Sequence, residues 1–332
     1  PVNKPGAAIS HRAMLVGELP INKIQAALQL PPTALLNGDI GITAQALFPL
    51  RTRTREESNA ADVGEQAEFR LLLRSDLEGL TSRLPYPLDK TAPDTEGLQM
   101  ELRFPERGRA QIYGTLKRGL GWALEARNDP AGWSLARGAI VRGVMIPELP
   151  VTDGLIMQGE IDSLSLDDWS AVLADSADAA SSDVARQEPS PGWQSLFREA
   201  ELQVGELTAI GYRFADVGAA VTFGPAEWDI RLTGPWAEGN LVVPYDFQGP
   251  QPVIMNMDRL LLIEPQSAGD NDKDSQLSPL TLPAIEGRVK DFALGNLRLG
   301  ALDAKIRRVP DGLKSELLHT ESASFNTDIS YD

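Results

Sequence analysis

The chain has two imidazoles, His11 and His319, and each stands among polar residues with no second ligand at metal-binding spacing. Both read as surface residues. Two pairs of acids come close in sequence, as a glycosidase requires of its acid and its base or nucleophile. Asp167 and Asp168 follow Ser165 and are explained as acids of a first helical turn, where the helix dipole favours them. Glu160 and Asp162 alternate with Gly159 and Ile161, which puts both on the polar side of a strand. The acidic run from Gly269 to Asp274 lacks the spaced oxygens and terminal Glu of a calcium loop, so it reads as solvated. There is no Gly-x-Ser-x-Gly elbow, no phosphate-cradling loop and no dinucleotide glycine fingerprint. Gly114 to Gly121, with Lys117 and Arg118, reads as a hairpin turn. The absence of cysteine excludes disulfides, thiolate catalysis and cysteine-bound metals. Neither a cofactor nor a metal is expected, and the chain does not read as an enzyme.

The elements that carry these residues follow a period of two. Leu98, Met100, Leu102 and Phe104 alternate with Gln99, Glu101 and Arg103, and Phe69, Leu71 and Leu73 repeat the beat. Val217, Ala219, Val221 and Phe223 do the same, as do Trp228, Ile230 and Leu232 around Asp229 and Arg231. Such alternation places the apolar side chains of a strand on one face of a sheet. Turn signals separate the runs, among them Arg118-Gly119, Asn128-Asp129-Pro130, Gly224-Pro225 and Pro310-Asp311-Gly312. The expectation is about 18 to 22 strands of roughly five to nine residues, joined by connections too short for parallel crossovers, which take a dozen residues or more. One helix is expected at Leu166 to Leu173, capped by Ser165, and a second short piece at Asn22 to Leu30. Leu202 to Leu207 resembles Phe292 to Leu297 ninety positions later, a weak internal repeat. The six tryptophans could form a sugar-stacking platform, but their irregular spacing, with Trp169 and Trp228 on apolar phases, favours packing.

Composition limits the partners. A net charge of −16 disfavours nucleic acid and an anionic membrane surface, both of which need clustered Lys and Arg. The longest apolar run, Leu260 to Ile263, is far short of the roughly 18 residues of a membrane span. The reading divides the chain into a β segment at 1–165 with a charged loop at 51–66, a helix and loop at 166–192, and a β segment at 193–332 with a loop at 266–276. It opens Pro1-Val2-Asn3 and ends inside an alternating run, and is expected to be a fragment of a longer chain.

The segment Leu282-Pro283-Ala284-Ile285-Glu286-Gly287-Arg288-Val289-Lys290-Asp291-Phe292-Ala293-Leu294-Gly295-Asn296-Leu297-Arg298-Leu299-Gly300 resembles a recurrent phrase of the YhdP proteins. These belong to the AsmA-like superfamily, which includes TamB. Ala301 to Asp332, Ser75 to Leu88 and Ile161 to Trp169 resemble that family as well. The resemblance implies an elongated, twisted antiparallel β-sheet trough in the periplasm, tethered to the inner membrane by a helix outside this chain. It also implies a role in moving phospholipid to the outer membrane.

Two readings follow. In the first the apolar face is a conduit for phospholipid acyl chains, lined by Phe69, Leu71, Leu73, Met100, Leu102, Phe104, Ile112, Leu116, Leu124, Val221, Ile230, Leu232, Leu294, Leu299 and Phe325, with membranes met through regions outside the chain. In the second it is the closed core of a periplasmic β-solenoid scaffold or envelope-assembly factor. Protein partners, lipid species and transport direction stay open.

Overall fold

A computed structural model describes residues 9–23, 35–49, 68–130, 132–143, 146–172, 196–246, 249, 251–262, 283–309, 312–322 and 326–329. The expected loops at 51–66, 174–192 and 266–276 lie outside the described residues, as do Leu173 and residues 24–30 of the two expected helices. The chain divides into two compact units, one of Pro1–Leu84 with Leu88–Ile156, the other of Pro85–Pro87 with Met157–Asp332. Both are mainly β, as the alternation requires.

The first unit holds β1 (Ile9–Pro20), β2 (Leu36–Asn37), β3 (Asp39–Pro49), β4 (Phe69–Ser75), β5 (Thr81–Ser82), β6 (Leu98–Glu106), β7 (Arg109–Leu116), β8 (Leu120–Asp129) and β9 (Gly132–Arg142). Its sheet runs β1-β3-β4-β6-β7-β8-β9, every neighbour antiparallel, and β2 pairs β5 apart from it. The tight turn after Leu116 forms where expected: Gly119 adopts φ 83° and its N–H donates to the Leu116 carbonyl at 3.0 Å.

β10 (Gly154–Ser165) leads into the second unit, which continues with β11 (Phe197–Ala209), β12 (Tyr212–Phe223), β13 (Glu227–Thr233), β14 (Ala237–Pro244), β15 (Val253–Leu262), β16 (Ile285–Leu294), β17 (Leu297–Val309), β18 (Gly312–Glu321) and β19 (Asn326–Ile329). Spatial order follows chain order. Residues 166–172 form the expected helix, and the Ser165 hydroxyl accepts from the Asp168 N–H at 3.1 Å.

Three expectations are corrected. β15 and β16 pair in parallel, Val253 opposite Ile285 through Leu262 opposite Leu294, so the sheet is mixed and not wholly antiparallel. The 22 residues between these two strands exceed what a parallel return needs. Strands reach 13 residues in β11 and β17, longer than expected. The suspected repeat is not structural: Leu202 to Leu207 lies inside β11, whereas Phe292 to Leu297 spans the β16–β17 turn at Gly295.

Candidate functional site

In the first unit the register turns the alternation into rows that cross the sheet. Leu71, Leu102, Ile112 and Leu124 stand opposite one another on β4, β6, β7 and β8. Beside them run Leu73, Met100, Gly114 and Trp122, and on the other flank Phe69 and Phe104, to which Phe48 adds a third ring, with centroids 5.2 and 5.6 Å apart. Leu116 joins Leu98 and Leu120 in the last row. All nine residues expected to line this part of the face share it, and all are half-buried. Gly114 makes room for Trp122, since a Cβ there would lie 2.2 Å from the indole ring. Leu120, Trp122 and Ile140 belong to the same rows and were missed, although their phase relative to Leu124 carries the signal, and Leu98, read on the apolar phase, was not counted in the lining.

The opposite face of the first unit is a network of ions. Glu125 is fully buried there and takes hydrogen bonds from Arg137 (2.9 and 3.2 Å), Gln111 (3.2 Å) and Arg127 (3.3 Å), with Arg109 at 3.7 Å. Burial pushes its carboxyl upward, but the bonds from Arg137 and Gln111 and the charges of Arg137 and Arg109 outweigh this and hold it at about 2. The 146–153 segment is tied to this network: Arg137 donates to the carbonyls of Pro150 and Val151, and Arg127 pairs with Asp153 at 2.9 Å. Farther along, Arg103 grips Glu101 with two bonds of 2.9 and 3.1 Å and lies 4.6 Å from the centre of the Tyr113 ring.

The second unit repeats the division of faces. Ala200, Val221, Ile230, Leu241, Met255, Gly287, Ala304 and Leu318 form one row across eight strands. The next contains Leu202, Ala219, Leu232, Gly239, Met257, Val289 and Leu302. Val221, Ile230 and Leu232 are therefore brought together, half-buried. Gly287 is needed in its row, because a Cβ there would lie 2.3 Å from the Met255 carbonyl oxygen. Part of this face is sealed: Val217, Met257, Val289 and Val204 are no more than 2% exposed and anchor one cluster. Leu294 stands apart, 41% exposed opposite Leu297 at the β16–β17 turn, and Leu299 sits half-buried at the irregularity beside Gly300. Phe325 lies outside the described residues. The reverse face carries cross-strand ion pairs such as Arg288–Asp303 and Lys290–Asp258, both 2.6 Å.

Two of the four acids weighed for catalysis, Asp167 and Asp162, have structural partners. Asp167 accepts from the N–H groups of Ile210 and Gly211 at 2.7 and 2.9 Å and so braces the β11–β12 turn. Asp162 accepts from the Tyr86 hydroxyl at 2.9 Å. His319 faces Asp303 and Asp328 in register, and His11 is exposed. Among the described residues no group of three or more His, Asp or Glu is placed to hold a metal ion.

No curated protein and no solved structure matches the chain. A protein family does: the one described as YhdP protein matches residues 10–331, nearly the whole sequence. Strands divided throughout into an apolar and a charged face accord with the phrases that first suggested this family, and the chain belongs to the YhdP family.

Proposed function

We propose that this chain is part of a hydrophobic-groove conduit that carries phospholipid between the inner and outer bacterial membranes. The full-length protein works in the periplasm, tethered to the inner membrane. The observation that carries the reading is the set of apolar rows on one face of each unit, half-buried from Leu71 to Leu124 in the first and from Val221 through Ile230 to Leu241 in the second, outside the sealed cluster. A uniform lining of Leu, Ile, Val, Met and Phe shelters acyl chains without a deep local well. At about 0.8 kcal/mol per methylene, a tail of roughly fifteen methylenes gains about 12 kcal/mol before losses, enough to hold it while the headgroup stays wet. The rows carry no energy-coupling group, so direction is imposed from elsewhere.

Photo-crosslinkers at Leu102 and Ile230, against Arg103 and Asp229 on the other phase, test the reading with radiolabelled phospholipid. Capture at the first pair and not the second is expected, because one residue along a strand reverses the face. Equal capture on both phases, or none, overturns it.

A scaffold or envelope-assembly role with a closed core is the second reading. The sealed cluster around Val217 and Met257 favours it for that part of the second unit. It expects no lipid at Ile230.

A further inference from the structure

Asn37-Gly38, where β2 ends, is the one Asn-Gly pair of the sequence. Asn37 is exposed, and its side chain turns back on its own backbone, with Oδ1 accepting from the Gly38 N–H at 2.8 Å. Among the described residues no backbone carbonyl takes that N–H. The contact is an ordinary turn bond of Asn, yet it also sets the side-chain amide against the next main-chain nitrogen. A side chain on the following residue would crowd this approach, and Gly38 has none.

Other positions lack one part of this arrangement. Asp153-Gly154 has the same glycine, at φ 100°, but Asp153 is committed to Arg127 in two bonds of 2.9 and 3.1 Å. Asn128, Asn240 and Asn256, on other strands, each precede a residue that carries a side chain.

We infer that Asn37 is a site of spontaneous covalent modification: its side-chain amide is lost through a cyclic imide with Gly38, and the isoaspartate that results unlatches β2 from β5. The Gly38 nitrogen gives its proton to hydroxide and bonds to the Asn37 Cγ. The Cγ–Nδ2 bond breaks, and the amide leaves as ammonia after taking a proton from water. Water then opens the imide at one of its carbonyls. Opening at Cγ leaves an aspartate in the normal chain. Opening at the main-chain carbonyl leaves an isoaspartate, in which the chain runs through Cβ and Cγ. The sum is one water in and one ammonia out, with no oxidant or reductant.

The fold has room for the first product and not for the second. An isoaspartate lengthens the main chain by one carbon just ahead of Gly38. A Cβ on Gly38 would already overlap the Gly79 carbonyl oxygen, and one on Gly79 the Asp39 carbonyl oxygen, so the two stretches touch backbone to backbone. The same stretch is held by the Asn37–Thr81 pairing. The Gly38 carbonyl also accepts from the Ile21 N–H at 3.0 Å, and the Leu35 carbonyl from the Arg83 N–H at 2.8 Å. An added carbon displaces these partners together.

The full chain is aged in its folded state in neutral and in mildly alkaline buffer, then digested in acid. Mass spectrometry after separation tells aspartyl from isoaspartyl peptides. Asn37 should be converted while Asp153 stays intact, at a rate that rises in proportion to hydroxide. Hydrogen exchange on the aged chain should show two populations at the Ile21 and Arg83 amides, the faster one growing with the isoaspartyl fraction. Fresh Asn37→Asp chain, which carries the other product's side chain, should show the slower one alone. An Asn37 that stays intact in the folded chain, even while the same peptide reacts in urea, overturns the inference. So does conversion with a single population of amides, since the isoaspartate then fits.

Discussion

Replacing Glu125 by Gln tests how the first unit is held together on its polar face. The carboxyl's ordinary value of 4.5 falls to about 2 in the folded chain. At 1.36 kcal/mol for each tenfold in proton affinity, the ionised form contributes about 3 kcal/mol of stability. The Glu125 side chain itself has no solvent exposure, so its pairing is worth more than that of a surface ion pair. The sign follows from a folded-state value below the unfolded one: the contribution is complete above pH 4.5 and is lost as the pH falls toward 2. Urea unfolding of parent and Glu125→Gln chains at a series of pH values is the assay, read on the transition of the first unit because two compact units need not unfold as one. The difference should be about 3 kcal/mol at pH 7 and should vanish near pH 2. A difference below about 1 kcal/mol at neutral pH, the worth of an exposed pair, would refute the reasoning. So would one that persists unchanged to pH 2, since it would come from shape and not charge.

The other predictions concern the apolar rows and their supports. Ile230→Asp should keep its fold by circular dichroism and lose lipid capture, whereas Val217→Asp, at a position with no exposure, should unfold the second unit by burying an unpaired charge; identical behaviour of the two would make the whole face a packed core. Gly114→Ala should push Trp122 off its neighbour, costing about 1–3 kcal/mol and shifting the indole emission; an unchanged spectrum counts against the stacking. Asp167→Ala removes two acceptors and should cost about 1–2 kcal/mol, with faster hydrogen exchange at the Ile210 and Gly211 amides as the sign that the turn has loosened.

Much of the fold was legible because period two is a local property. Leu98 to Phe104 and Trp228 to Leu232 became strands with the phase their alternation implied. What failed was non-local or rested on a local exception. Along β11 and β12 the buried positions slip by one: Val204 and Leu207 are buried three residues apart, and so are Phe214 and Val217. Asp216, at φ 55°, lies inside the slip, so a strict alternation rule misplaces one half of each strand. Glu125 reads as an ordinary polar-phase residue, because Arg109, Gln111 and Arg137 reach it from neighbouring strands. The parallel pair was missed because sequence shows the length of a connection but not which strand its far end joins. For the apolar face, phase alone names Leu102 and Ile230, but only register shows that Leu102 stands in line with Leu71, Ile112 and Leu124.

The parallel ladder between β15 and β16 separates spatial adjacency from covalent continuity. Where a tight turn joins two neighbours, as at Gly211 between β11 and β12, it sets both their order and their register. Here nine register pairs, from Val253–Ile285 to Leu262–Leu294, hold the strands side by side without using any residue that joins them. Only Ala284, at the end of the joining stretch, adds to this pairing, its carbonyl accepting from the Val253 N–H at 2.8 Å. Lengthening the joining stretch costs little in closure entropy, about 0.6 kcal/mol for each doubling of its length. A foreign domain, an affinity tag or a cleavage site inserted there should leave the rows on either side aligned, which makes it the natural place to graft a reporter onto this sheet.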